Sequence, residues 1–233
     1  MGKIRLDSRL SAVASLVRSG SRVADIGTDH GYLIAYLIEN GISPSGIAAD
    51  LREGPLNNAK QTVIEQGISD KVELVLSDGL KKISENSCED IVIAGMGGNL
   101  IADILSACEW IYDEKLNIVA QPMSHAEVLR EFYINNGFEI KEEKTATDGK
   151  HIYCVMSASY TGKKKEREKS YIYLGELTKN NDEITRKYIN KLLTALEKKH
   201  NALVAAEKED ADSLGEIISQ IKMKVTEVYN GNC

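Results

Sequence analysis

The chain has 233 residues, 42% of them hydrophobic, with 35 acidic and 29 basic side chains and a formal net charge of −6. That length can bury a core for one large domain or a domain plus an appendage, and no apolar run reaches the roughly 18 residues of a membrane span. Cys88, Cys108, Cys154 and Cys233, like His30, His125, His151 and His200, are dispersed, which argues against a disulfide framework or zinc site, so no metal is expected.

The first residues, Met1-Gly2-Lys3-Ile4-Arg5, run into Leu6-Asp7-Ser8-Arg9 rather than an apolar segment. No signal peptide is expected, and the cytoplasm is the default compartment. Charge is uneven. Residues 162–233 carry 14 basic and 12 acidic side chains, and the rest carry 15 and 23. An acidic globule with a slightly basic tail is not a general nucleic-acid binder, so any polyanion must meet a local positive surface.

Leu10, Val13, Ala14 and Val17 follow helical spacing, with Asp7 or Ser8 as N-cap and Gly20-Ser21 closing the segment. Arg22–Ile26 reads as a buried strand and Tyr32–Glu39 as a helix closed by Asn40-Gly41. Strands follow at Gly46–Asp50, Val72–Leu76, Ile91–Ala94 and Leu116–Ala120, with helices at Pro55–Gln66, Asn99–Ser106 and Ala126–Asn136. Two β-prone runs, Phe138–Thr145 and Ile152–Ser159, flank Asp148-Gly149, a hairpin signal. The pattern predicts an α/β fold, a Rossmann-like doubly wound sheet ending in an antiparallel hairpin. This is the architecture of class I methyltransferases that use S-adenosyl-L-methionine (SAM).

The expected boundaries are a methyltransferase domain over 1–161 and an antiparallel helical hairpin over 162–233. The charge run Lys163–Lys169 is expected to start the first long helix, with a break near Glu207–Ser213. Leu214, Ile218, Ile221, Val225 and Val228 alternate in steps of four and three, a coiled-coil heptad.

Ligands of such sheets sit at the carboxyl ends of the strands. The loop Asp25-Ile26-Gly27-Thr28-Asp29-His30-Gly31-Tyr32 spaces its glycines as Gly-x-x-x-Gly, not as the Gly-x-Gly-x-x-Gly of a pyrophosphate cradle. Asp50 is placed to accept from ribose hydroxyls, although helix capping is its plain alternative. Asp78, within Ser77-Asp78-Gly79, is placed to accept from an adenine amino group, or is simply a turn residue. Gly95-Met96-Gly97-Gly98, after Ala94, leaves room for a flat base where amino-group methyltransferases carry Asn/Asp-Pro-Pro-aromatic; a mobile loop is the alternative.

Together with Ser8-Arg9-Leu10, Ala49-Asp50 and Gln121-Pro122, these motifs closely resemble the bacterial tRNA (adenine-N1)-methyltransferases that act at adenosine 22. The resemblance covers essentially the whole chain. It implies SAM as cofactor, tRNA as partner and N1-methyladenosine as product, by in-line attack of the base nitrogen on the sulfonium methyl. It implies a cofactor site of Asp25, Gly27, His30, Gly31, Asp50, Leu51, Ser77, Asp78, Gly79, Ala94, Gly95 and Met96. It places Arg9, Tyr32, Gly97, Gly98, Gln121 and Pro122 at the substrate and Asp29 in the catalytic role. Lys163–Lys169, Lys187, Lys191, Lys198 and Lys199 either grip tRNA or form a solvated face. A monomer is expected. The competing readings are a methyltransferase of proteins or small molecules, a non-catalytic SAM-binding module and, more distantly, an NAD-dependent oxidoreductase.

Overall fold

A computed structural model describes residues 3–230; Cys233 and the end of the expected helical hairpin lie outside the described residues. Seven strands form one sheet in the order β3-β2-β1-β4-β5-β7-β6. They are β1 (Val23–Ile26), β2 (Gly46–Asp50), β3 (Val72–Leu76), β4 (Asp90–Met96), β5 (Asn117–Pro122), β6 (Phe138–Asp148) and β7 (His151–Tyr160). The first five are parallel, and β7 pairs antiparallel with both β5 and β6. The helices are α1 (Ser8–Ala14), α2 (Tyr32–Glu39), α3 (Glu53–Glu65), α4 (Gly98–Ser106), α5 (Ala126–Asn135), α6 (Tyr171–Leu174), α7 (Glu183–Ala205) and α8 (Asp210–Asn230).

The middles of the central strands are apolar on both faces because both sides of the sheet are covered, and their polar residues fall at or near strand ends. Alternate residues feed opposite cores. Ile91, Ile93, Ile118 and Ala120 join Leu105 and Leu129 on one side. Val92 and Val119 join Val13, Leu33 and Leu37 on the other. The switch in strand order between β1 and β4 opens the crevice at the carboxyl edge.

Asp7 caps α1, its side chain accepting from the Leu10 backbone N–H at 2.7 Å. Between β3 and β4 the chain makes turns rather than a helix. Ser84-Glu85-Asn86-Ser87 gives this stretch no apolar stripe, and Asn86 is left-handed at φ 62°. The Lys163–Lys169 run does not start the long helix. The first of the two long helices begins at Glu183, where Asp182 accepts from the Thr185 backbone N–H at 2.9 Å and supplies the cap. The break before α8 spans only 206–209.

The paired α7 and α8 also lie against the sheet. Ile189, Leu196, Leu214 and Ile221 share a core with the β5 and β7 side chains. Thr145 and Thr185 hydroxyls meet at 2.8 Å. The fully buried Arg130 and Glu143 pair at 2.8 Å. The same guanidinium donates to the carbonyls of Ile172 and Tyr173, and Asn180 donates to the Glu143 carbonyl at 2.7 Å.

Candidate functional site

A cavity of about 760 Å³ opens at the carboxyl ends of β1, β2, β3 and β4. It lies within the roughly 300–1,000 Å³ typical of small-molecule sites. Most expected positions line it: Arg9, Asp25, Gly27, Asp29, His30, Tyr32, Asp50, Leu51, Ser77, Asp78, Gly79, Ala94, Gly95 and Met96. Its electrostatics are lopsided. Six aspartates (Asp7, Asp25, Asp29, Asp50, Asp78, Asp148) face two guanidiniums, Arg9 and Arg52.

The floor comes from the β1 turn. Asp25 is buried and accepts a hydrogen bond from the Thr28 hydroxyl at 2.7 Å. Burial lifts its carboxyl from 3.8 to about 6; the Thr28 bond opposes that rise and nearby Asp50 adds to it. Gly27 takes φ +77°, and a Cβ there would collide with the tip of Met96. Gly31 lies behind the turn, where a Cβ would press on Ala59 at 3.1 Å. It caps α2 from the left-handed region instead of lining the cavity.

Asp50 is also buried. Its Oδ1 accepts the Arg52 backbone N–H at 2.9 Å, which fixes the carboxylate as the chain turns into α3. Asp78 pairs with Lys81 at 2.5 Å, and Ser77 donates to the Gly79 carbonyl at 2.9 Å. Asp29 is exposed at φ 51°, its carboxylate 3.6 Å from His30 Nε2, and the His30 ring stacks on Tyr32 at 5.3 Å.

At the β4 end, the register skips Gly95 between Ala94–Gln121 and Met96–Pro122. This bulge at φ +81° leaves the Gly95 N–H without a strand partner. Gln121, fully buried, accepts that N–H at 3.1 Å and also accepts from Arg9 Nη1 at 2.9 Å. Gln121 thus sits behind the wall, and Pro122, Gly97 and Gly98 are likewise outside the lining. Gly98 serves the neighbouring loop, since a Cβ there would collide with the His125 carbonyl. Its N–H donates to Ser124 O at 2.7 Å.

Residues not anticipated from the sequence complete the cavity, among them Thr28, Arg52, Leu100, Ile104, Met123, Asp148 and Tyr153. Asp148 and Tyr153 come from the β6–β7 hairpin, which Ser8 ties to the N-terminal segment by donating to Thr147 O. Their only signal was the Asp-Gly turn. The rim is apolar and open: Tyr32 and Met123 are each 48% exposed, Leu51 63% and Leu100 51%. Among the described residues no group of three or more His, Cys, Asp or Glu side chains is arranged to hold a metal, and no helix is long and apolar enough to cross a membrane.

A family model described as a methyltransferase domain matches residues 6–156. The chain is 34% identical to the tRNA (adenine(22)-N(1))-methyltransferase of Bacillus subtilis (strain 168) over 158 residues, 68% of this chain and 66% of that protein. The crystal structure of the Bacillus subtilis tRNA methyltransferase TrmK superposes with a TM-score of 0.85 at 27% identity, covering 95% of this chain and 99% of that one. Streptococcus pneumoniae Sp1610 in complex with SAM gives 0.80 at 29% identity, covering 95% and 100%.

Proposed function

The chain belongs to the methyltransferase-domain family and, within it, to the bacterial tRNA (adenine-N1)-methyltransferases acting at adenosine 22, and from that premise we propose that it methylates N1 of that adenosine in tRNA, using SAM. The observation that carries the reading is the acidic cavity. Six carboxylates against two guanidiniums suit a ligand with sulfonium and ammonium charges and a product base that becomes cationic. They disfavour a phosphate deep inside, so the tRNA backbone stays outside.

The residues fit the cofactor. Asp50, at the end of β2, accepts from ribose hydroxyls and Asp78, just after β3, from the adenine amino group. Asp25 faces the ammonium, and Gly27 makes room for Met96 at the cavity wall. Arg9, braced on Gln121, takes the cofactor carboxylate. When bound, SAM supplies an electrophilic methyl on a sulfonium.

Neutral adenine N1 already carries a lone pair, so the protein's task is alignment, with reacting atoms roughly 3–3.5 Å apart. The N1 edge is hidden in a base pair, so the nucleotide must leave its stack to enter. The exposed Tyr32, Leu51, Leu100 and Met123 form an apolar rim for that base. Asp29 stabilises the positive charge that develops on the ring, or accepts the amino proton afterwards.

The units 1–161 and 162–233 divide the labour: the sheet holds the cofactor and the helical pair grips tRNA. The grip draws on Lys191, Lys198 and Lys199; Lys165 and Lys187 are paired with Glu139 and Glu183. The protein acts as a cytoplasmic monomer. Incubation with SAM and unmodified tRNA, followed by nucleoside analysis, tests the reading: N1-methyladenosine supports it, and methylation of protein alone overturns it.

A further inference from the structure

A smaller cavity of about 100 Å³ adjoins the first, and Met123 and Tyr153 line both. Its other walls include His125, Tyr173 and Tyr188, from the β5–α5 loop, α6 and α7. Its lining is rich in aromatic rings, and Arg130 lies at its base.

The loop between the two cavities is held firmly. The Met123 N–H donates to Met96 O at 2.8 Å and the Gly98 N–H donates to Ser124 O at 2.7 Å. His125 is left-handed at φ 54°, with its ring exposed and 3.2 Å from Glu127. Histidine tolerates that conformation at some cost, and the close approach allowed by Gly98 maintains it.

We infer that this second cavity receives the base of a nucleotide flanking the methylated adenosine; the inference rests on the function proposed above. When the target base leaves its stack, its neighbour loses a stacking face. A pocket lined with tyrosine and histidine, which shares Tyr153 and Met123 with the target's cavity, offers a replacement. Stacking of this kind tolerates any base, because every base has a π face. The site therefore contributes to tRNA affinity and to holding the extruded conformation, without reading sequence.

The test crosses protein and RNA changes in the full-length protein. His125→Gly removes the ring and keeps the left-handed backbone; Tyr173→Leu removes a second wall. Each is assayed on intact tRNA and on tRNA made abasic at either neighbour of the target. Each variant should raise KM for intact tRNA roughly tenfold, with SAM affinity unchanged. An abasic neighbour on one side should cost the wild-type protein as much and cost the variants nothing further. Additive losses, or unchanged KM in both variants, would overturn the inference. His125 is exposed, so that variant remains informative if Tyr173→Leu does not fold. Failure of the wild-type protein to methylate intact tRNA would overturn the functional reading itself, and is seen before any variant is compared.

Discussion

The Thr28 hydroxyl donates to Asp25 Oδ2 across 2.7 Å, and it is the one hydrogen bond to that buried carboxylate among the described residues. Burial outweighs it, so the folded protein holds the Asp25 proton up to about pH 6 against an ordinary 3.8. The unfolded chain therefore binds fewer protons in that window. The cost of ionised Asp25 is absent below pH 3.8, grows to pH 6 and is complete above it, about 3 kcal/mol. Asp25→Asn should raise the melting temperature above wild type at pH 7.5 and match it near pH 4. A cationic cofactor favours the ionised form, so SAM affinity of the wild type should strengthen as pH rises through 6, and that of the variant should stay flat. Calorimetry across pH 4–8 checks both.

Asp29 is exposed and left-handed, its carboxylate 3.6 Å from His30, whose ring stacks on the rim tyrosine Tyr32. If its charge faces the base, Asp29→Asn should slow single-turnover methylation roughly 100-fold and leave SAM affinity within about twofold. A near-normal rate with SAM bound would remove Asp29 from the chemistry.

Gly98 borders the backbone of His125. Gly98→Ala should cost about 1–3 kcal/mol through overpacking and displace the loop carrying Met123. The expected readout is a lower melting temperature together with a raised KM for tRNA. Unchanged stability would mean that the loop relaxes freely.

Arg130 and Glu143 tie α5 and β6 to the segment leading into α7. Arg130→Met should destabilise by about 3–5 kcal/mol, because Glu143 would be left charged and unpaired. Arg130→Met with Glu143→Leu should recover part of that loss. Chemical denaturation of the three proteins measures it.

Much of this architecture was legible because apolar runs ended in glycine or aspartate. The expected bounds of α2, β2 and β3 match those observed, since Asn40-Gly41, Asp50 and Ser77-Asp78-Gly79 punctuate them. The cavity followed, as its first four walls are strand ends. What was hidden depends on long-range placement. Gln121 looks like a substrate contact beside Pro122, yet the bulge at Gly95 draws its side chain inward. Asp148 and Tyr153 reach the site only through the tip of the β6–β7 hairpin at the far edge of the sheet. Nothing in the sequence marks Arg130 and Glu143 as a pair, because α5, β6 and the segment before α7 bring them together only in the fold. Lys163–Lys169 reads as a helix start, but the capping aspartate lies at Asp182.

The most direct measurement compares two tRNA transcripts, one intact and one with adenosine 22 replaced by guanosine, incubated with radiolabelled SAM and the wild-type protein. The intact transcript should yield labelled N1-methyladenosine and the other none. Equal labelling of both, or label in neither while SAM binds, would contradict the proposed function.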